Sequence, residues 1–449
     1  MFDVNIATVL IVSLLVMVAL GVHIAIALGM ASALGIFLVT GGNFDVVLAM
    51  LGSTAYESLR AYEFAVIPLF MLMGEFIAKS GAVTDVYQAI HRNLKRIPGR
   101  LAVATLLGNA IFSFVTGVSI ASAAAFSRIA YPEMKKFGYD RGFALGTVAG
   151  SSCLGMLIPP SVLMIVWGLL TERSIGQIFL AGVFPGILLL GLFVTYVLVV
   201  AMLRPNLVGE NKELSELNAL TDNSSPPPSA TQVWSSAFGI IFVVVAVLGG
   251  IWFGIFTPTE GAGAGAFIAL IMAIAKGLRV REIIDAILSV GRTSAPILLL
   301  LVSAALYSRT LAMTGVSTAI QDAFLGTNML PWMIIATMVG IWFLLGMVID
   351  SISIMLLTVT IFEPIAVTLG YDPIAFAIVG ILAIEAGLLT PPFGLLVYTV
   401  KAAIQDEGDD ISIMQIFRSS TPYWIIMLVG IIAISSYPQI ATYLPNLMF

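Results

Sequence analysis

Asp350 stands in the middle of a very apolar stretch, LLGMVIDSISIMLL, over residues 344–357. An ionisable side chain in such a setting costs roughly 2.5–3.5 kcal/mol on insertion scales and marks a functional position by default. The alternative is a helix cap, in which the carboxylate accepts backbone N–H groups at a helix start. The two roles are compatible. Glu385 is the second embedded acid, five residues before Thr390. Its alternative is a pairing with another helix. Ser119, Ser151 and Thr390 lie beside glycines and prolines in equally apolar surroundings. Hydroxyls and carbonyls freed by a broken helix are hard oxygen donors, the kind that hold Na+. Helix N-termini at the same breaks offer N–H groups and a positive dipole end to a carboxylate. One cation site in each half of the chain, with an anion between them, is the chemistry these residues can support.

Other chemistries find little to work with. A single cysteine, Cys153, excludes a disulfide framework and a cysteine metal cluster. The two histidines, His23 and His91, are far apart and form a poor basis for a metal site. No Gly-rich nucleotide loop of the Walker type is present, so ATP is not expected to drive the protein. No catalytic dyad suggests an intramembrane enzyme. The net charge of −5 is small for 449 residues, and no nucleic acid is expected among the partners.

The elements that must position these residues come as a duplicated design. Pro132, Gly138-Tyr139-Asp140, Gly155 and Pro159-Pro160 recur 232 positions later as Pro364, Gly370-Tyr371-Asp372, Gly387 and Pro391-Pro392. Adjacent prolines remove two donors and clash with the preceding turn. They push Ile158 and Thr390 away from helical dihedrals. In lipid every backbone group must be paired, so such a break survives where it faces protein, an ion or water. Paired broken helices in duplicated halves point to a transporter's midplane site. A passive channel has no need of them.

With 59% hydrophobic residues, 10% charged and a mean hydropathy of +1.06, the chain reads as an all-α polytopic membrane protein. Its continuous apolar runs argue against a β-barrel. No Lys or Arg precedes Arg60. Residues 5–21 therefore read as a first membrane segment with its N-terminus outside, not as a cleaved signal. A second span is expected over 23–40, an interfacial stretch over 44–61 and a third span over 63–79. Basic residues flank 101–127 on both sides, from Arg92 to Arg100 and from Arg128 to Arg141. That segment reads as a re-entrant hairpin opening to the cytoplasm, with its tip near Thr116–Ser122. A broken span follows over 142–172 and a return over 178–203.

Residues 204–233, containing NSSPPPSATQ, form a linker between repeats spanning 1–203 and 234–449. Spans are expected over 234–254, 261–275 and 294–314, with Glu260 read as a helix-start charge. The second hairpin, about 331–362, has flanks free of Lys and Arg and opens to the outside, so the repeats are inverted. A second broken span over 373–401 and a last span over 421–443 complete the chain.

Three stretches carry a resemblance. GSSCLGMLIPPS with GLLTERSIGQIFLAGVFPG, GIFTPTEGAGAGA and EAGLLTPPFG together resemble the large membrane subunit (DctM-like, M subunit) of TRAP, or tripartite ATP-independent periplasmic, transporters. The similarity covers nearly the whole chain. It implies an ion-transporter-superfamily, elevator-type fold and Na+-driven import of a C4-dicarboxylate, sialic acid or sugar acid across the bacterial inner membrane. It implies two partners, a small four-helix membrane subunit and a periplasmic substrate-binding protein, and no cofactor beyond the coupling Na+. By motif match it puts one Na+ near Gly117, Ser119 and Gly155 and another around Gly346, Gly387, Thr390 and Phe393. It puts substrate contacts at Thr116, Ser119, Ser161 and Asp350. The chain departs from the family pattern at both tips: the first reads TGVSIAS in place of a denser Gly-Ser run, and the second lacks the frequent proline after Asp350. The small subunit is expected to come from another chain. The alternative reading is a stand-alone cation/carboxylate symporter that needs no binding protein.

Overall fold

The computed structural model describes residues 4–94, 97–209, 229–327, 329–405 and 411–448. They are helical apart from turns and one isolated bridge between Tyr139 and Val208. Among them, seven helices are long and apolar enough to cross a membrane. The pair Phe44–Arg60 and Tyr62–Lys79, bent by 59°, makes an eighth span if counted as one. The stretch expected at the interface is thus the first arm of this bent pair, started by Asn43, whose side chain accepts from the N–H groups of Asp45 and Val46.

Packing partners sort the helices into an inner and an outer set. The apolar window of Arg141–Thr171 is 89% buried, while that of Ile175–Leu203 is 28% buried. A span hydrophobic all round is one that packs against protein on every side. Arg141–Ser152 packs on Ile413–Ser436, and Pro331–Gly346 packs on Pro373–Gly387. Outside this core, Val280–Thr314 lies along Ile24–Val39 and Pro258–Ala275 along Val66–Lys79. The second pairing depends on small residues: Gly265 lets Met73 and Val247 approach where a Cβ would stand 2.6 and 2.7 Å from them. Glu260 closes a capping box with Thr257, accepting its N–H at 2.8 Å.

Two short helices join the sets. Ala82–Asn93 and Val316–Leu325 each follow a glycine with left-handed backbone, Gly81 and Gly315. Each leads into a hairpin. Asp85 on the first is tied to the outer set: it accepts from Lys276 at 2.6 Å and from the Ser236 hydroxyl at 2.7 Å.

Three expected boundaries move. The span placed at 294–314 is part of a single 35-residue helix, Val280–Thr314. Arg281, Glu282, Asp285 and Arg292 lower its hydropathy without breaking it. At 1.5 Å per residue it runs to roughly 50 Å, beyond the apolar thickness of a bilayer. The last span, expected over 421–443, is Ile413–Ser436, and a separate helix, Gln439–Met448, follows Pro438. The second hairpin continues past 362 to Thr368, with Pro364 accommodated inside the helix. The linker expected at 204–233 lies largely outside the described residues, with Ala230 already starting the next helix.

Candidate functional site

The first hairpin is made by Arg100–Thr116 and Ser119–Ile129. Its arms fold back on each other, with the Phe112 and Phe126 rings 5.7 Å apart and edge-on. Gly117 ends the first arm at φ 60°, a conformation that costs glycine nothing. A side chain there would also strike the Pro160 carbonyl at 2.4 Å. The Gly117 carbonyl in turn accepts the Val162 N–H at 3.1 Å. The hairpin tip is thereby bonded to the first break.

That break separates Leu154–Leu157 from Val162–Thr171. The Ser161 hydroxyl spans it, donating to the Met156 carbonyl at 2.6 Å and accepting from the Met164 N–H at 3.4 Å. Gly155 faces the start of the second hairpin arm, where its Cβ would stand 3.1 Å from the Ser119 backbone. Thr116 is half-buried, and its hydroxyl is turned back onto the Phe112 carbonyl at 3.1 Å.

The second hairpin repeats the arrangement with different chemistry. Pro331–Gly346 and Ser351–Thr368 are its arms, held together by Trp342 Nε1 donating to Thr358 Oγ1 at 2.7 Å. Asp350 caps the second arm: its carboxylate accepts the Ser353 N–H at 3.1 Å and also the Ser353 hydroxyl. In the first hairpin the corresponding residue is Val118, whose apolar side chain makes no capping hydrogen bond. Gly346 and Gly387 touch backbone to backbone, since a Cβ on Gly387 would lie 2.7 Å from Gly346 Cα. The Phe393 N–H donates to the Met347 carbonyl at 3.1 Å, while the Phe393 ring is 54% exposed. Phe393 thus joins the site through its backbone.

The expected residues therefore gather as two clusters. Gly117, Ser119, Gly155 and Ser161 meet at the first break, and Gly346, Gly387, Thr390 and the Phe393 N–H meet at the second. Thr390 adds a detail that spacing could not supply. Its hydroxyl and its N–H both donate to the Gly387 carbonyl, at 2.6 and 3.0 Å. That oxygen has two lone pairs and both are engaged.

Sequence reasoning passed over two features. Asn109, buried on the first hairpin, donates to the Ser151 hydroxyl at 2.5 Å and ties the hairpin to Arg141–Ser152. Arg173 reaches Glu363 with two N–H groups, Nε at 3.1 Å and Nη2 at 3.0 Å, fastening the end of the first broken span to the second hairpin. A charge pair separated by 190 positions leaves no periodic signal.

Glu363 is 7% exposed, whereas the Arg173 side chain is 39% exposed. Removing the arginine leaves a buried carboxylate unpaired, while removing the carboxylate leaves only a solvated cation. Arg173→Ala is therefore expected to cost about 2 kcal/mol, a buried-pair cost discounted for the exposed partner. Glu363→Gln should cost less than half of that, because the amide oxygen still accepts from the guanidinium. Thermal unfolding of the detergent-purified variants measures both, and equal destabilisation would contradict the assignment.

Among the described residues no three His, Cys, Asp or Glu side chains converge as a metal site. The chemistry offered by the two breaks is carbonyl and hydroxyl oxygen.

Comparison with known proteins agrees with this architecture. The chain is 30% identical over 393 residues to the C4-dicarboxylate TRAP transporter large permease protein DctM of Pseudomonas aeruginosa, covering 87% of this chain and 88% of that protein. It is 27% identical over 394 residues to the ectoine/5-hydroxyectoine TRAP transporter large permease protein UehC of Ruegeria pomeroyi, covering 87% and 88%. Among solved structures it superposes on the YdaH transporter of Alcanivorax borkumensis with a TM-score of 0.62 at 14% identity, covering 89% of both chains. That likeness is one of fold. The family described as tripartite ATP-independent periplasmic transporter, DctM component, matches residues 11–440. The chain therefore belongs to this family of transporter permeases and is a multi-pass protein of the bacterial inner membrane.

Proposed function

We propose that the chain is the transport subunit of a Na+-coupled importer of an organic acid, working with a separate small four-helix membrane subunit and a periplasmic substrate-binding protein. The observation that carries this reading is the seating of each hairpin tip on a helix break through glycine backbone, Gly117 on Pro160 and Gly346 on Gly387. In this reading one Na+ binds at Gly117, Ser119 and Gly155, and another at Gly346, Gly387, Thr390 and Phe393. Backbone carbonyls are the main ligands, with the Ser119 and Thr390 hydroxyls beside them. The substrate carboxylate meets the N-termini of the second hairpin arms, with Thr116, Ser119 and Ser161 around it and Asp350 turned to a substrate hydroxyl. The division into inverted repeats, 1–203 and 234–449 joined by 204–233, belongs to the same proposal. So does the opening of the hairpins to opposite sides.

An elevator movement of the inner helices accounts for the two short connecting helices that start at left-handed glycines. Such positions absorb a change of direction at low cost. A C4-dicarboxylate is the first substrate to try, because the Pseudomonas aeruginosa relative carries that name.

The test is uptake of labelled dicarboxylates, sialic acid and ectoine into proteoliposomes containing the chain and its small subunit. Uptake is expected only with an inward Na+ gradient and the cognate binding protein present. Equal uptake under a K+ gradient would overturn the coupling. Uptake without the binding protein would favour the stand-alone symporter.

A further inference from the structure

Cys153 and Glu385 occupy equivalent places in the two halves, 232 positions apart, and they touch: the Cys153 thiol donates to the Glu385 carbonyl at 3.8 Å. Residues related by a repeat meet where the axis relating the repeats passes between them. Ser119 and Ser351 are a second such pair, with the same separation, and each is the first residue of its second hairpin arm. Both serines face the Glu385 carboxylate. The Ser351 hydroxyl donates to Oε1 at 2.8 Å. Ser119 brings a second hydroxyl within reach of the same carboxylate, although no aligned hydrogen bond forms between them. Glu385 Oε2 and Ser119 Oγ are both fully buried, and neither closes an aligned hydrogen bond.

A buried carboxylate with one bare oxygen is expensive, because the charge loses water and gains a single hydrogen bond in return. A second bare hydroxyl oxygen beside it adds to the cost. One monovalent cation between Oε2 and Ser119 Oγ neutralises the charge and engages both atoms. The first half has cysteine where the second has glutamate, so the axis carries one carboxylate and not a repelling pair.

We propose that Glu385 Oε2 and Ser119 Oγ are ligands of a cation position on the axis between the repeats, taking an alkali cation of Na+ size and linking the two hairpins. This rests on the Na+-coupled reading above and goes beyond it, adding the Glu385 carboxylate on the axis to the Ser119 hydroxyl that the reading already uses. Bound there, the ion touches the first hairpin through Ser119. It reaches the second through Glu385 and Ser351. Both hairpins then answer to one occupancy.

The experiment is thermal unfolding of the full-length purified chain across a NaCl titration, with choline chloride holding the ionic strength constant. A cation that binds the folded state raises the midpoint once its concentration passes its dissociation constant. Wild-type protein is expected to be stabilised by Na+ over choline. Glu385→Gln can still accept from Ser351 and can donate to Ser119, so it is expected to fold. It should need at least tenfold more Na+ for the same shift. Glu385→Asp keeps the charge but draws the oxygens back by one methylene. It should show an intermediate Na+ requirement and an altered Na+ to Li+ preference, which a purely structural carboxylate would not produce. If both variants kept the wild-type Na+ midpoint, the axial site would be overturned while the carbonyl sites stood. If the wild-type protein itself showed no Na+-specific shift, the coupling reading would fall, and the axial site with it.

Discussion

Gly387→Ala is expected to abolish Na+-driven uptake, by about 100-fold or more, while leaving the protein in the membrane. A Cβ at this position would stand 2.5 Å from the Phe343 carbonyl oxygen and 2.7 Å from Gly346 Cα. Both obstacles are backbone, so no side-chain rotation relieves them. The second hairpin must lift from the second broken span by roughly 1 Å, and overpacking of this kind costs about 1–3 kcal/mol. Misplacement on that scale can cost about a hundredfold where groups are held in organised geometry. The same movement pulls the Phe393 N–H from the Met347 carbonyl, which joins hairpin and break at 3.1 Å. Gly155→Ala should be milder, because its new methyl meets the Ser119 backbone at 3.1 Å. Uptake normalised to reconstituted protein measures the difference. Normal Na+-dependent uptake by Gly387→Ala would remove the second break from the coupling machinery.

The order of these effects could not be read from the sequence, although the positions could. Spacing marked both breaks and the glycines at each, because Gly and Pro act through the local backbone and leave a mark wherever they stand; the hairpins were read from the charge of their flanks. What the side chains do across the breaks was hidden. Glu385 was visible as an embedded acid. Its neighbours Ser351 and Ser119 are 34 and 266 positions away, and only the fold brings them to it. Arg173 and Glu363 were hidden for the same reason. Helix limits failed where hydropathy and helix propensity diverge. Val280–Thr314 begins with charged residues that water tolerates and a helix tolerates equally. Thr390 shows the opposite case: its place was legible, but not that its hydroxyl already occupies the carbonyl it was expected to assist.

Asp350→Asn separates capping from charge at the tip of the second hairpin. The carboxylate accepts the Ser353 N–H at 3.1 Å and the Ser353 hydroxyl as well. It is half-buried, so part of its charge remains solvated. Asparagine keeps an oxygen for the N–H and is as good a cap as aspartate, so folding should change little. Alanine removes the cap and should cost about 1 kcal/mol. A cap alone does not require the negative charge. The first hairpin forms with Val118 at the matching place and no side-chain cap. The charge is therefore expected to serve the bound cation and to organise the tip, since a bare anionic substrate would be repelled by it. Transport by Asp350→Asn should fall by about tenfold or more at limiting Na+, with a raised apparent Na+ requirement and an unfolding midpoint near that of the wild type. Excess Na+ should recover part of the rate in Asp350→Asn, and less of it in Asp350→Ala, whose tip has also lost its cap. If Asp350→Asn transports normally at limiting Na+ and only Asp350→Ala is impaired, the residue is a helix cap and the second cation site holds its ion through carbonyl and hydroxyl oxygen alone.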